Sequence, residues 1–291
     1  MSFYKNEKME NITTDNGEEI VLSSDKTLYA QWKINLKDAV NYVDATNGSD
    51  SYTGKNPSKA VKTLKKAYEN LQSTGGIIYI LGGAQCIEEN VILDGTYYES
   101  NAGKVEISNG LSVEIRRYSV PSSVGTDSCT LIGYDDSETM TGNLLVVRGN
   151  GNLTIKDIII DGHMNAITEG EEWEIAPAVD RSGALITNGS NLVIDGGKLQ
   201  NNINSNETQG TGGGAIFNTG TLSMLSGEIT GNYSKYGGAI FTKNNYEVNI
   251  SGGDIYNNEA YDGGALFQYS NTSVVNIGNV NIYNNHANDR G

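Results

Sequence analysis

The sequence predicts an all-β chain built as a β-solenoid, with short strands winding into stacked coils. Three observations lead there: a Gly- and Asn-rich composition, a hydrophobic period of two from Ile77 onward, and an internal repeat in the last third. The 291 residues include 36 Gly and 35 Asn, far above the usual Gly share of roughly 7%. Gly is among the poorest helix formers and Asn prefers turns, which excludes a helical bundle. Seventeen Tyr, with Val, Ile and Leu at regular spacing, supply enough apolar surface to exclude a disordered chain. The net charge of -15 offers no basic stripe for phosphates, so nucleic acid is not an expected partner. No run approaches the roughly 18 apolar residues of a membrane span, and no charged-then-apolar leader follows Met1. Membrane insertion and a signal peptide are therefore not expected within this segment.

Residues 1–40 form one block, ending in Thr27-Leu28-Tyr29-Ala30-Gln31-Trp32-Lys33, where Leu28, Ala30 and Trp32 alternate as in a half-buried strand. Residues 41–74 read as a lead-in strand at Tyr42-Val43 followed by one helix over 57–71. Asn56 is its expected N-cap and Pro57 its first residue, while Ala60, Leu64, Ala67, Tyr68 and Leu71 recur at helical spacing and Gly75-Gly76 end it. Such a helix would cover the open edge of a strand stack. Residues 75–291 form the solenoid.

The repeat has two markers. Gly183-Ala184-Leu185-Ile186, Gly214-Ala215-Ile216-Phe217, Gly238-Ala239-Ile240-Phe241 and Gly264-Ala265-Leu266-Phe267 align at intervals of 31, 24 and 26 residues. Downstream of each comes an apolar residue followed, three positions on, by Asn202, Asn232, Asn258 or Asn285. A period near 25 with about three short strands per unit is the pattern of coils that bury their apolar faces against each other. The recurring Asn would stack into an amide ladder, and the Gly would serve corners that need positive φ or close approach. Turn and ladder chemistry, not ligand binding, is the reading for these residues. Upstream, Asn152-Leu153-Thr154-Ile155 matches Asn191-Leu192-Val193-Ile194 at an offset of 39, and Val105–Ile107, Val113–Ile115 and Leu144–Val147 read as further strands. About eight coils, roughly 40 Å in all, follow from the strand spacing.

The Gly-Ala-Ile/Leu and Ile/Leu-x-x-Asn markers over 183–285 resemble the repeats of chlamydial polymorphic membrane proteins, with Ile or Leu replacing the Phe of their second marker. The chain from Tyr42 onward is similar to secreted right-handed parallel β-helix proteins of the pectate-lyase-like superfamily. Leu28-Tyr29-Ala30-Gln31-Trp32 resembles the last strand of the small Listeria–Bacteroides surface repeat, present here in part. These resemblances imply a right-handed single-stranded parallel β-helix with an N-terminal capping helix. They also imply an extracellular or cell-surface setting within a larger multidomain chain, and a glycan or host-surface protein as partner.

Residues 161–181 break the regular spacing with Asp161, His163, Glu169, Glu171, Glu172, Trp173, Glu174, Asp180 and Arg181. A solvated charged loop is the plain reading. Its functional alternatives are Ca²⁺ held by carboxylate oxygens, a sugar ring against Trp173, or acid–base work on a glycan by two carboxylates roughly 5 to 9.5 Å apart. Glu171, Glu172, Glu174, Asp161 and His163 are the catalytic candidates; Trp173, Glu169, Asp180 and Arg181 are the ligand-binding ones. No cofactor is expected beyond that Ca²⁺, for which no EF-hand-like spacing speaks. Polygalacturonases carry Asn-Thr-Asp, Asp-Asp, Gly-His-Gly and Arg-Ile-Lys on neighbouring coils. Here only Asp135-Asp136 and Gly162-His163 resemble fragments of that set, and residues 182–291 hold only Lys198, Lys235, Lys243 and Arg290 as bases. Cys86 and Cys129 fit no metal spacing and read as buried thiols or one disulfide. The expected function is an adhesin-like or spacer module without catalysis, and the alternative is a polysaccharide lyase or glycoside hydrolase using the acidic loop.

Overall fold

The computed structural model describes residues 39–44, 47–81, 105–107, 110–117, 130–132, 145–162, 183–208, 210–243 and 245–291. The Leu28–Trp32 segment and both cysteines lie outside them. The chain is mostly β, and every pairing between described strands is parallel. The strands form three sheets. The first stacks Val40–Val43, Gly76–Ile80, Ser112–Arg117, Asn152–Lys156, Asn191–Gln200, Thr221–Thr230, Glu247–Ile250 and Val274–Ile277, with Thr130–Ile132, Ile159–Asp161, Asp254–Tyr256 and Asn281–Tyr283 alongside. The second stacks Ile203–Asn204, Tyr233–Tyr236, Glu259–Asp262 and His286–Arg290. The third runs from Val105–Ile107 through Leu145–Val147, Ile186–Asn188, Ile216–Asn218 and Ile240–Thr242 to Leu266–Gln268. From Ile186 on, the chain visits the third, first and second sheets in rotation. This order is compatible with a parallel β-helix.

Successive side chains on a strand point to opposite faces, so a parallel, in-register stack turns each inward position into a column. Ile78, Ile115, Ile155, Ile194, Met224, Ile250 and Ile277 make one such column. Ile160, Leu199, Ile229, Ile255 and Ile282 make another. Ile250 is 2% exposed and Ile277, one rung on, 56%. The inward face of one strand is thus covered by the next strand in the stack.

Register follows polar side chains as much as apolar ones. Asn191 pairs with Asn152 and Ile194 with Ile155, the offset of 39 read from the sequence. In the third sheet the first interval differs by one from the aligned markers: Ile216 pairs with Ile186, not with Leu185. The reason is a buried amide stack, in which Asn188 Nδ2 donates to Asn218 Oδ1 at 2.7 Å and Asn218 Nδ2 to Thr242 Oγ1 at 3.2 Å. A slip of one residue would turn each of these groups to the wrong face.

The Gly-Gly corners divide two tasks. Gly213, Gly237 and Gly263 take φ of 79°, 68° and 68°. The second glycine lets backbones meet: a Cβ on Gly214 would lie 2.1 Å from Gly238 O, and one on Gly238 2.3 Å from Gly264 O. Ala215 and Ala239, just after them, are fully buried, and Ala265 packs against the same core. At the second marker, Asn232 Nδ2 donates to Asn258 Oδ1 at 3.0 Å and Asn258 Nδ2 to Asn285 Oδ1 at 2.9 Å. The same amides satisfy corner carbonyls, Asn258 donating to Ile229 O at 2.8 Å and Tyr256 O at 2.9 Å. Asn202 joins through its backbone N–H, which donates to Asn232 Oδ1 at 3.2 Å.

The helix is shorter than the sequence predicts. Pro57–Lys59 is a single 3₁₀ turn after an extended Asn56 that makes no side-chain cap, and the α-helix is Leu64–Leu71. Between them Val61 is drawn into a parallel bridge with Val43, its N–H donating to Tyr42 O at 2.9 Å. Asp50 then receives the N–H groups of Lys62 and Thr63, and Thr63 Oγ1 caps the helix by accepting from Lys66 N. Tertiary pairing overrides the helical period here. Leu64, Ala67, Tyr68 and Leu71 pack into the core that holds Val43, Ile78 and Ile80.

Replacing Asn258 with Ala leaves two corner carbonyls without their donor and should cost about 1–3 kcal/mol in urea unfolding. The same change at the more exposed Asn285 should cost less.

Candidate functional site

Outward positions of the first sheet also align into rows. One row runs Asp161, Gln200, Thr230, Tyr256, Tyr283, and a neighbouring one Ile159, Lys198, Glu228, Asp254, Asn281. They flank the inward Ile160–Ile282 column and make a wall facing solvent. Lys198 Nζ lies 2.8 Å from Glu228 Oε2, and Tyr256 Oη donates to the same oxygen at 2.6 Å. The Tyr256 and Tyr283 rings stack in parallel with centroids 5.0 Å apart, about one strand spacing. Asn281 Nδ2 donates to Asp254 Oδ1 at 2.8 Å.

A second set of outward residues lies on the other half of the same sheet: Tyr42, Tyr79, Arg116, Lys156, Asp195 and Ser226. Tyr42 and Tyr79 stack at 5.3 Å, and the Arg116 guanidinium lies 5.7 Å from the Tyr79 ring centre while its Nη1 is 2.9 Å from Glu114 Oε1. Lys156 is in close contact with Asp195, which also accepts from Ser226 Oγ at 3.3 Å.

These contacts fix protonation states. Burial works against the charge on Glu228, yet hydrogen bonds from Lys198 and Tyr256 outweigh it and hold the carboxyl below its ordinary range. Burial likewise opposes the Lys198 charge, but Glu228 and Tyr256 leave its amine above the ordinary lysine value. Burial, then the bond to Glu228, pushes the Tyr256 phenol up. The hydrogen bond between Lys156 and Asp195 raises the amine and lowers the carboxyl. Near neutral pH the wall therefore presents ammonium, carboxylate and neutral phenol groups already engaged with each other. A lyase needs an unprotonated base, whereas Lys198 and Lys156 are held as ammonium groups. A glycosidase needs a protonated carboxyl beside an ionised one, whereas Glu228 and Asp195 are both held ionised.

Of the residues singled out in the sequence, Asp161 lies on this wall at the end of strand Ile159–Asp161. Its Oδ2 accepts from Gln200 Nε2 at 2.6 Å and from Asn201 Nδ2 at 3.2 Å. His163, Glu169, Glu171, Glu172, Trp173, Glu174, Asp180 and Arg181 lie outside the described residues, as do Asp135 and Asp136. Among the described residues no three His, Cys, Asp or Glu side chains converge as a metal site needs, and no helix is long and apolar enough to cross a membrane. Three of the four bases beyond residue 182 are in ion pairs: Lys198 with Glu228, Lys235 with Glu207 at 3.4 Å, and Arg290 with Asp262 at 3.2 Å.

Sequence reasoning missed an aromatic column on the outer face of the third sheet. Phe217, Phe241 and Phe267 stack at 5.5 and 5.8 Å, and Tyr236 and Tyr269 close over them. Phe241 is fully buried though it lies opposite the core-facing Ile240. The signal was available, since these Phe end three of the four Gly-Ala markers. Comparison with known protein families, curated proteins and solved structures finds no match to this chain.

The depressed Glu228 carboxyl supports the wall above the ordinary carboxylate range and loses that support as pH falls through its lowered value. The raised Lys198 amine supports it below the ordinary lysine value and loses that support only as pH rises through its elevated one. The half-exposed pair contributes about 0–1 kcal/mol. Replacing Lys198 with Met should move the Glu228 titration upward, as followed by carboxyl carbon NMR.

Proposed function

We propose that the chain is a right-handed parallel β-helix, capped by the helix Leu64–Leu71, that serves as a cell-surface adhesin-like or spacer module. On this reading it belongs to a larger extracellular protein and binds host or environmental glycans or proteins without catalysis. The observation that carries it is the outer wall of the first sheet, where tyrosine, amide and charged side chains of successive strands align in rows. Such a wall offers several polar and aromatic contacts along one axis, which suits an extended partner gripped weakly at each step. The tied Lys198–Glu228–Tyr256 group supports binding over catalysis. The resemblance of the Gly-Ala and Asn markers to surface-protein repeats supports the location.

The test incubates the chain, with and without Ca²⁺, with acidic and neutral polysaccharides and counts new chain ends. The same preparation is then applied to glycan and host-protein arrays. The expected result is no cleavage together with binding that weakens about tenfold when Tyr256 and Tyr283 are both changed to Ala. Cleavage that disappears when Glu171, Glu172 and Glu174 are changed to Gln would instead establish a lyase or hydrolase acting through the 161–181 loop.

A further inference from the structure

The second sheet contains a carboxyl group that neither the wall nor the core explains. Glu259, on strand Glu259–Asp262, is 1% exposed. Its Oε1 accepts one hydrogen bond, from Asn288 Nδ2 at 2.9 Å, and its Oε2 is buried with no partner among the described residues. It pairs in register with Tyr233 on one side and His286 on the other. Asn288 and His286 both belong to strand His286–Arg290, so that strand supplies the carboxyl's one donor and covers it. A buried carboxylate without a paired cation is costly, and the neutral acid much less so.

We propose that the pairing of Glu259–Asp262 with His286–Arg290 is an acid-strengthened clasp, closed over the buried Glu259 carboxyl by Asn288 and His286. The titratable and charged groups of the three strands around it include Tyr236 and Tyr261 as well as those that follow. From the preceding strand come Tyr233 and, further along, Lys235, which is paired with Glu207 of the adjoining loop. On its own strand stands Asp262, gripped by Arg290 through Nε at 3.2 Å and Nη2 at 3.2 Å. From the covering strand come His286, Asp289 and Arg290. Burial raises the Glu259 carboxyl above its ordinary range, against the opposing pull of Asn288 and His286. For an acid raised in the folded state, the folded chain holds the extra proton. Stability is then greatest below the ordinary carboxylate value and falls as pH rises through the elevated one.

The test is amide exchange in the intact chain, expressed as protection relative to intrinsic exchange at each pH. The probes are the His286 N–H, which donates to Asn258 O at 2.9 Å, and the Gly263 N–H, which donates to Arg290 O at 2.6 Å. The Tyr233 N–H, bonded to Asn202 O at 2.8 Å, is the reference within the same sheet. Between pH 4.5 and pH 8 the two clasp amides should lose about tenfold in protection while the reference stays level. Glu259→Gln and Glu259→Leu should remove that fall, and both should protect the clasp at pH 8 at least as well as the parent does. A parent clasp as level as the reference, or an undiminished fall in either variant whose reference amide remains protected, would overturn the proposal.

Discussion

Everything else in this structure depends on like side chains stacking in register along parallel strands. A parallel sheet has no hairpin turn to set its alignment, and a slip by one residue exchanges inward and outward faces. The buried amides supply the missing specification. Asn188 to Asn218 to Thr242 pins the third sheet, and Asn232 to Asn258 to Asn285 pins the corner between the first and second. Because each amide also satisfies corner carbonyls, the chain can turn without leaving buried backbone unpaired. With the corners fixed, the Ile and Leu columns follow.

That dependence explains how much of the fold is legible in the sequence. The repeat of Gly-Ala and Asn markers and the offset of 39 between Asn152 and Asn191 are visible as letters, because stacking demands the same letter at the same place. The interval between Gly183 and Gly214 misleads, since the register there is decided by Asn188 under Asn218, which the Gly-Ala alignment ignores. The helix start misleads for a similar reason: Val61 pairs with Val43 across the chain, and local spacing carries no sign of that. Of the candidate site residues read from the sequence, only Asp161 falls among the described residues. The Lys198–Glu228–Tyr256 group joins residues from three separate passes whose proximity exists only once the register is known.

The polar rows and the apolar columns share one geometry but different energetics. A column residue such as Ile255 gives up all its water contact, and burying a side chain of that kind contributes about 1.5–3 kcal/mol. The wall rows contribute far less each, since half-exposed ion pairs nearly offset their own desolvation. Outward residues can therefore change with little effect on folding, provided the columns stay intact. This separation leaves the wall free to be shaped by whatever it contacts.

The passes differ in length while the ladders do not. Paired residues are 39 apart between Asn152 and Asn191, 30 between Asn188 and Asn218, and 26 between Asn232 and Asn258. Surplus chain must therefore be spent between columns, at bends where no buried amide is displaced. The scaffold works as a spine with interchangeable spans. Between the second and third sheets one pass takes eleven residues, 205–215, and the next takes three, 237–239, yet Asn204 still pairs with Ser234 and Ile216 with Ile240.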